Sequence, residues 1–212
     1  MDKPNTPQLT IDREFRDLIR PLMKDEYRHL EQNLLADGCR EPITVWKDII
    51  VDGHNRFEIC SRLGIPFEVR ERHFDNREEA IIWICANQLG RRNISDETRR
   101  YLIGKRYEAE KVIAGRRNYS GWNQYRKREK SIDLPYEVID PEAQQEKFRT
   151  SQRIGEEYHL APGTVEKYGV YSQAVDVIAK KDPTMLPRIL SGRYKISHDN
   201  VVALSRMSAQ EV

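Results

Sequence analysis

The residues best suited to chemistry form a short turn, Asp52-Gly53-His54-Asn55-Arg56, set between two apolar runs. A glycine where a strand passes into a helix lets an anion approach the backbone, and the first N–H groups of the helix lack intrahelical acceptors. Arg56 adds a guanidinium suited to charge-assisted hydrogen bonds with phosphate oxygens. Downstream, Asn87 leads to a basic pair, Arg91-Arg92. Gly53, Arg56 and the Arg91-Arg92 pair are therefore candidate phosphate-binding residues, with His54 and Asn55 inside the same turn.

A second constellation lies in Thr150–Tyr171, TSQRIGEEYHLAPGTVEKYGVY. Ile154, Tyr158 and Leu160 give a first helix an apolar side, and Gly155 is small where two helices cross. His159-Leu160-Ala161-Pro162 supplies a turn. Pro162 suits the first position of a second helix, where its missing N–H costs nothing. Val165 and Tyr168 face inward on that helix. The pattern predicts a helix-turn-helix, whose second helix reads base edges in the major groove. Gly163, Thr164 and Lys167, with Glu166 and Val170, are the outward candidates. Ser151, Gln152 and Arg153 would stand near DNA phosphates. An ordinary αα-hairpin is the alternative.

The elements that position these residues are legible from period and punctuation. Tyr27, Leu30, Leu34 and Leu35 predict a helix that starts at Asp25-Glu26 and closes at Gly38. Pro42–Trp46 and Ile49–Val51 read as two strands joined by Lys47-Asp48. Phe57–Leu63 is a helix capped by Gly64, and Ile65–Val69 a third strand. Glu78–Asn87 is an apolar helix. Ser95 opens a further helix to about Ala114. Residues 115–149 read as a linker or mobile basic loop, with Trp122 and Tyr125 available for packing or base stacking. Short helices follow at Ala174–Ile178, Pro183–Leu190 and Ser197–Ser205. The expected division is 1–95, 96–149 and 150–212.

The 212 residues are 38% hydrophobic and 33% charged, which is not the composition of a membrane protein. No apolar run approaches the roughly 20 residues that span a bilayer, nor does the N-terminus read as a signal peptide. The expected location is the cytoplasm. Cys39, Cys60 and Cys85 are odd in number and form no CxxC pair, so neither a disulfide framework nor a zinc site is expected. Net charge is +2, yet Arg91–Lys130 holds thirteen basic residues against five acidic ones. Such a block beside a DNA-binding motif suggests polyanion contact.

The stretches Gly38-Cys39-Arg40-Glu41-Pro42-Ile43-Thr44-Val45, Ile50–Glu58 and Asn87–Ser95, in that order, resemble the N-terminal domain of the ParB partition proteins. That domain shares its fold with sulfiredoxin. The resemblance extends into the helix-turn-helix and covers roughly residues 10–205. It implies an α+β class: a small mixed sheet with helices, followed by an all-α helix-turn-helix domain. Such domains bind a nucleotide, commonly CTP with a divalent cation. Gly53–Arg56 match the phosphate turn, and Cys39, Arg40 and Glu41 match the strip facing base and sugar. Asn87–Arg91 match a Glu-Asn-x-Gln-Arg motif that contacts phosphate and metal. Only Arg91 of that motif is kept. With Asn87 in place of the glutamate, a hard oxygen ligand for magnesium is gone. In sulfiredoxin the nucleophilic cysteine occupies the turn, where His54 stands here. ParB-fold amino-acid kinases carry a related Asp-Gly-His-x-Arg turn, in which His54 would sit beside a transferred phosphoryl group, with Asp17 and Glu58 nearby.

The expected protein is a nucleotide-regulated, double-stranded-DNA-binding homodimer acting in plasmid partition, replication control or transcription. A ParB-fold phosphotransferase or NTP hydrolase, with the helical part as a docking module, is the enzymatic alternative. A DNA-binding protein with a vestigial pocket is the third.

Overall fold

The computed structural model describes residues 8–91, 93–122, 141–193 and 195–209. Arg92, Tyr125 and the basic run 126–130 lie outside them. Helix α1 (Arg13–Asp17) is capped by Asp12, whose carboxylate accepts from the Phe15 N–H at 3.1 Å. Helix α2 (Lys24–Asp37) ends at Gly38, where φ is +74°. Strands β1 (Ile43–Trp46) and β2 (Ile49–Asp52) form an antiparallel hairpin. Its two-residue loop has positive φ at both Lys47 and Asp48, as a tight hairpin of this twist requires.

Helix α3 (His54–Leu63) closes at Gly64. Strand β3 (Val69–Glu71) then pairs parallel with β1, giving the order β2-β1-β3. The third strand thus starts four residues later than Ile65–Val69 predicts. Ile65 and Phe67 are used for packing instead: the Ile65 N–H donates to the Cys60 carbonyl at 3.0 Å, and Phe67 meets Phe57 edge-on at 5.7 Å between ring centroids.

Strand period divides the core. Ile43, Val45 and Ile50 pack with Phe57 and Phe67 on one face of the sheet. Trp46 and Val51 point the other way, into the main core with Phe15, Phe74 and Ile84. The Trp46 indole N–H donates to the Phe74 carbonyl at 3.0 Å.

Helix α4 (Arg77–Leu89) and the long α5 (Asp96–Trp122) carry the chain out of the sheet. Helix α6 (Pro141–Tyr158), α7 (Pro162–Lys181), α8 (Met185–Leu190) and α9 (His198–Arg206) complete it. Two expectations change here. The stretch 115–149 is helical at both ends, through Trp122 and from Pro141. Ala174–Ile178 is no separate helix but the continuation of α7, since nothing between Val170 and Ala174 breaks a helix.

The main core is continuous from Phe15 and Trp46 to Val175, Ile189 and Val201. Helix α5 is its spine, crossing α7 closely enough to need glycine on both sides. A Cβ on Gly104 would lie 2.0 Å from the Tyr168 carbonyl oxygen, and one on Gly169 would lie 2.8 Å from the Tyr107 ring. The overall class is α+β with a small mixed sheet. Among the described residues, no helix is long and apolar enough to cross a membrane.

Candidate functional site

The turn after β2 is built as its residue types demand. Gly53 caps α3 with φ +91°, a conformation that side chains disfavour. A Cβ there would also come within 3.0 Å of Ile43 Cδ1 and 3.2 Å of Arg56 Nη2. Glycine thus serves both the backbone and the seat of the arginine. The first N–H groups of α3 lack intrahelical acceptors, as at any helix N-terminus, which is what an anion site uses.

Arg56 is held on three sides. Its Nη1 donates to Glu41 Oε2 at 2.8 Å. Its Nη2 donates to the Pro42 carbonyl at 3.3 Å and lies 3.4 Å from Asp52 Oδ2. The other Asp52 oxygen accepts from Arg91 Nη2 at 3.3 Å. One carboxylate therefore gathers Arg56 and Arg91, thirty-five positions apart in sequence. Asp52 belonged to the turn motif, but its bridging role had no local signal.

The structure places the remaining candidates unevenly. Cys39 is half-buried, and its thiol donates to the Glu41 carbonyl at 3.3 Å. Arg40 turns away to pair with Asp37 at 2.9 Å. Asn87 is exposed, whereas its neighbour Gln88 is buried, with neither side-chain polar atom partnered among the described residues.

His54 departs from the expectation of a ligand-facing residue. It is 1% exposed, and neither ring nitrogen has a hydrogen-bond partner among the described residues. Burial, reinforced by the nearby Arg16 charge, pushes its pKa down to about 4. The ring is neutral and enclosed, so it does not reach a transferred phosphoryl group as the chain stands.

Asn55 opens onto a cavity of about 210 Å³ that it lines with Arg16, Arg20, Pro187 and Leu190. Arg20, Pro187 and Leu190 also border a second groove, of about 930 Å³, flanked by Lys24, Arg28, Arg188 and Arg193. These cations come from both ends of the chain, so no sequence window could have grouped them. Among the described residues, no group of three or more His, Cys, Asp or Glu side chains is placed to hold a metal ion.

The predicted helix-turn-helix spans α6 and α7. His159 adopts φ +56°, and the Leu160 N–H returns to the Gly155 carbonyl at 2.8 Å. A Cβ on Gly155 would meet the Leu160 carbonyl oxygen at 2.5 Å. Gly155 is therefore small for the turn's backbone rather than for a helix crossing. Ile154 and Val165 are fully buried between the helices. Gln152, Gly163, Lys167 and Val170 are exposed, and Thr164 is half-buried.

Ser151 differs from the expected outward placement, while Arg153 is exposed but paired. Ser151 is completely buried, its hydroxyl within reach of the Phe148 carbonyl at 2.9 Å and Glu166 Oε1 at 3.2 Å. Ser151 and Glu166 thus tie the two helices together. Arg153 is ion-paired with Glu110 of α5.

The basic block also divides. Lys105 and Arg106 are buried and paired, and so unavailable to a polyanion. Arg106 forks onto Glu157 at 2.6 and 2.7 Å and holds Glu110 at 2.9 Å. Lys105 bridges Glu14 at 2.7 Å and Asp176 at 2.9 Å, with the Tyr101 hydroxyl donating to Asp176 at 2.7 Å. Burial alone would lower the Lys105 pKa, but Asp176 and Glu14 outweigh it and hold it above the ordinary value.

This arrangement, a three-stranded mixed sheet leading through a long helix into a helical bundle, is the fold of the ParB N-domain. Two solved structures share it, both described as pNOB8-like ParB N-domains. One, a C2221 crystal form, is 18% identical over 92% of this chain and 74% of its own, with a TM-score of 0.52. The other is 20% identical over 92% of this chain and 70% of its own, also at 0.52. Neither a family model nor a curated protein matches the sequence.

Proposed function

We propose that this chain is a ParB-type DNA-binding protein whose N-terminal half takes a nucleotide by its phosphates. The observation that carries this reading is the gathering of Arg56 and Arg91 on Asp52 beside the N-terminus of α3. Two guanidiniums, a glycine turn and free helix N–H groups are complementary to a polyphosphate. An incoming phosphate would take over the donors of Arg56 that Glu41 and Asp52 now accept. Cys39 and Glu41 would border the base and sugar, and the cavity reached by Asn55 gives the ligand room. CTP is the first nucleotide to test, given the fold.

The helix-turn-helix would supply sequence readout, with Thr164 towards base edges and Lys167 and Gln152 at the bordering phosphates. The pairs formed by Arg106 and Lys105 join both halves to α5, a physical route by which ligand at the turn could alter the helical part. A cytoplasmic homodimer reading a palindromic site, in partition, replication control or transcription, completes the proposal.

The test is calorimetry with CTP, ATP, GTP and ADP, with and without magnesium, on the wild type and Arg56→Ala. Binding of one nucleotide by the wild type, weakened at least about tenfold in the variant, is the expected result. Absence of binding to all four leaves the helix-turn-helix as the working part. Selection from a random duplex library tests the DNA half; recovery of no enriched sequence would sink it.

A further inference from the structure

Two of the three cysteines meet at the rim of this site. Cys39 lies in the loop before β1 and packs against both small clusters on the α3 side of the sheet. Cys60 is buried on α3. Cys39 packs against the cluster that holds Cys60; burial first, and the neighbouring Cys39 thiol after it, push the Cys60 pKa up to about 11.

Placement matters more than proximity. Cys60 is four residues beyond Arg56, so both project from one face of α3. Cys39 is two residues before Glu41 on the facing loop. The Cys39–Cys60 contact and the Glu41–Arg56 ion pair are therefore adjacent rungs between the same two segments. The first is a pair of free thiols. The second involves a carboxylate whose side chain is 75% exposed and is free to swing away when a phosphate claims Arg56.

We propose that a peroxide oxidises Cys39 and Cys60 to a reversible disulfide that fixes the loop, holds Glu41 over Arg56 and closes the phosphate site. The Cys39 thiolate attacks one peroxide oxygen. The O–O bond breaks, Cys39 becomes a sulfenic acid, and the departing oxygen leaves as water with the thiol proton. The Cys60 sulfur then attacks the Cys39 sulfur. The S–S bond forms as the S–O bond breaks, and the hydroxide leaves as a second water with the Cys60 proton. Two thiols are oxidised and one peroxide is reduced to two waters.

The order follows from exposure. Cys39 is half-open, whereas the Cys60 thiolate is disfavoured by burial, which suits it to resolve rather than to attack first. Cys85 stands apart: it is fully buried, with its thiol pushed up to about 12. The crosslink stands by itself, and its consequence for ligand rests on the nucleotide reading above.

The experiment treats the full chain with hydrogen peroxide, then counts thiols after denaturation and maps crosslinked peptides. One reactive thiol of three should remain, with Cys39 and Cys60 in one linked pair that dithiothreitol reverses. Cys39→Ser and Cys60→Ser should each abolish the pair. A Cys39 that passes to sulfinic acid without linking, or that bridges two chains, overturns the proposal. CTP titration of the reduced and oxidised protein reads the consequence. Oxidation should weaken binding at least about tenfold, and dithiothreitol should restore it. Equal affinities in both states overturn the closing role. Absence of binding by the reduced protein removes the nucleotide reading and the closing role together, and the crosslink is still decided by the peptide map.

Discussion

The turn at Gly53–Arg56 and the α6–α7 pair present their polar side chains in opposite ways. In the turn the chain answers its own charges: Arg56 is held by Glu41, Pro42 and Asp52, and Arg91 by Asp52. His54, at the centre of the motif, is buried. On α7, Gly163, Lys167 and Val170 face solvent, and the internal work is done by Ser151, Ile154 and Val165 behind them. A ligand at the turn must displace protein acceptors, so its affinity is the difference between two sets of hydrogen bonds. DNA at α7 displaces mainly water and counterions. The proposed function asks the first region to switch and the second to read, with α5 packed between them.

That junction is where the contrast breaks most severely. A Cβ on Gly104 would lie 2.0 Å from the Tyr168 carbonyl oxygen, so Gly104→Val must force α5 and α7 apart. We expect a loss of more than about 4 kcal/mol, measured by urea unfolding. Gly115, also on α5, has nothing within 4 Å of its Cβ position; Gly115→Ala should be neutral or stabilise by up to about 1 kcal/mol. Equal effects at the two positions would mean that the crossing is not close-packed.

Lys105→Met comes next. It leaves the carboxylates of Glu14 on α1 and Asp176 on α7 without their shared cation, which costs about 3 to 4 kcal/mol for a buried network. Hydrogen exchange should show α1 and α7 losing protection together. Unchanged protection of α1 would mean that the ion network does not couple the two halves.

Much of this was legible in the residues. Glycines at 38, 53 and 64 and the β-branched, aromatic runs at 42–46 and 49–51 place the hairpin and the helices on either side of it, and Ile154 and Val165 are buried as their spacing implies. What failed is instructive. The apolar run 65–67 is as good a strand by composition as Val69–Glu71, but only tertiary pairing with β1 decides which is used. The charge of Lys105 and Arg106 reads as a surface block, because their acidic partners at 14, 157 and 176 are distant in sequence. The groove cations at 20, 28, 188 and 193 have the same problem in reverse. Burial of His54 and Ser151 follows from how their elements pack, which no local pattern reports.

His54 sharpens the contrast through pH. Its pKa of about 4 in the folded chain lies below the ordinary value of 6.5. The unfolded chain therefore binds the extra proton first as pH falls, and stability should drop between pH 6.5 and 4, by about 3 kcal/mol over the window. Above pH 6.5 this contribution is constant. Asp17, whose carboxyl burial pushes up, titrates in the opposite sense near the lower edge. Comparison with His54→Asn isolates the histidine: the variant should lose the slope between pH 5 and 6.5. A variant that keeps the slope would mean that the ring is accessible, and the turn would then be as open as α7.

The smallest effect is expected on the open side. Lys167 is exposed on the first turns of α7, where a side chain reaches DNA phosphate more readily than it tunes the fold. Lys167→Ala should leave urea stability within about 0.5 kcal/mol. It should weaken binding to all duplex sequences alike, and lower the slope of log affinity against log salt by about 0.9, the share of one phosphate contact. Ser151→Ala makes the opposite pattern. Its buried hydroxyl links α6 to Glu166, so stability should fall by about 1 kcal/mol with the salt slope unchanged. If Lys167→Ala instead leaves the slope intact while Gln152→Ala or Arg153→Ala reduces it, phosphate contact belongs to the outer side of α6. The reading helix would then be engaged by its base-facing residues alone, with Thr164 the next position to change.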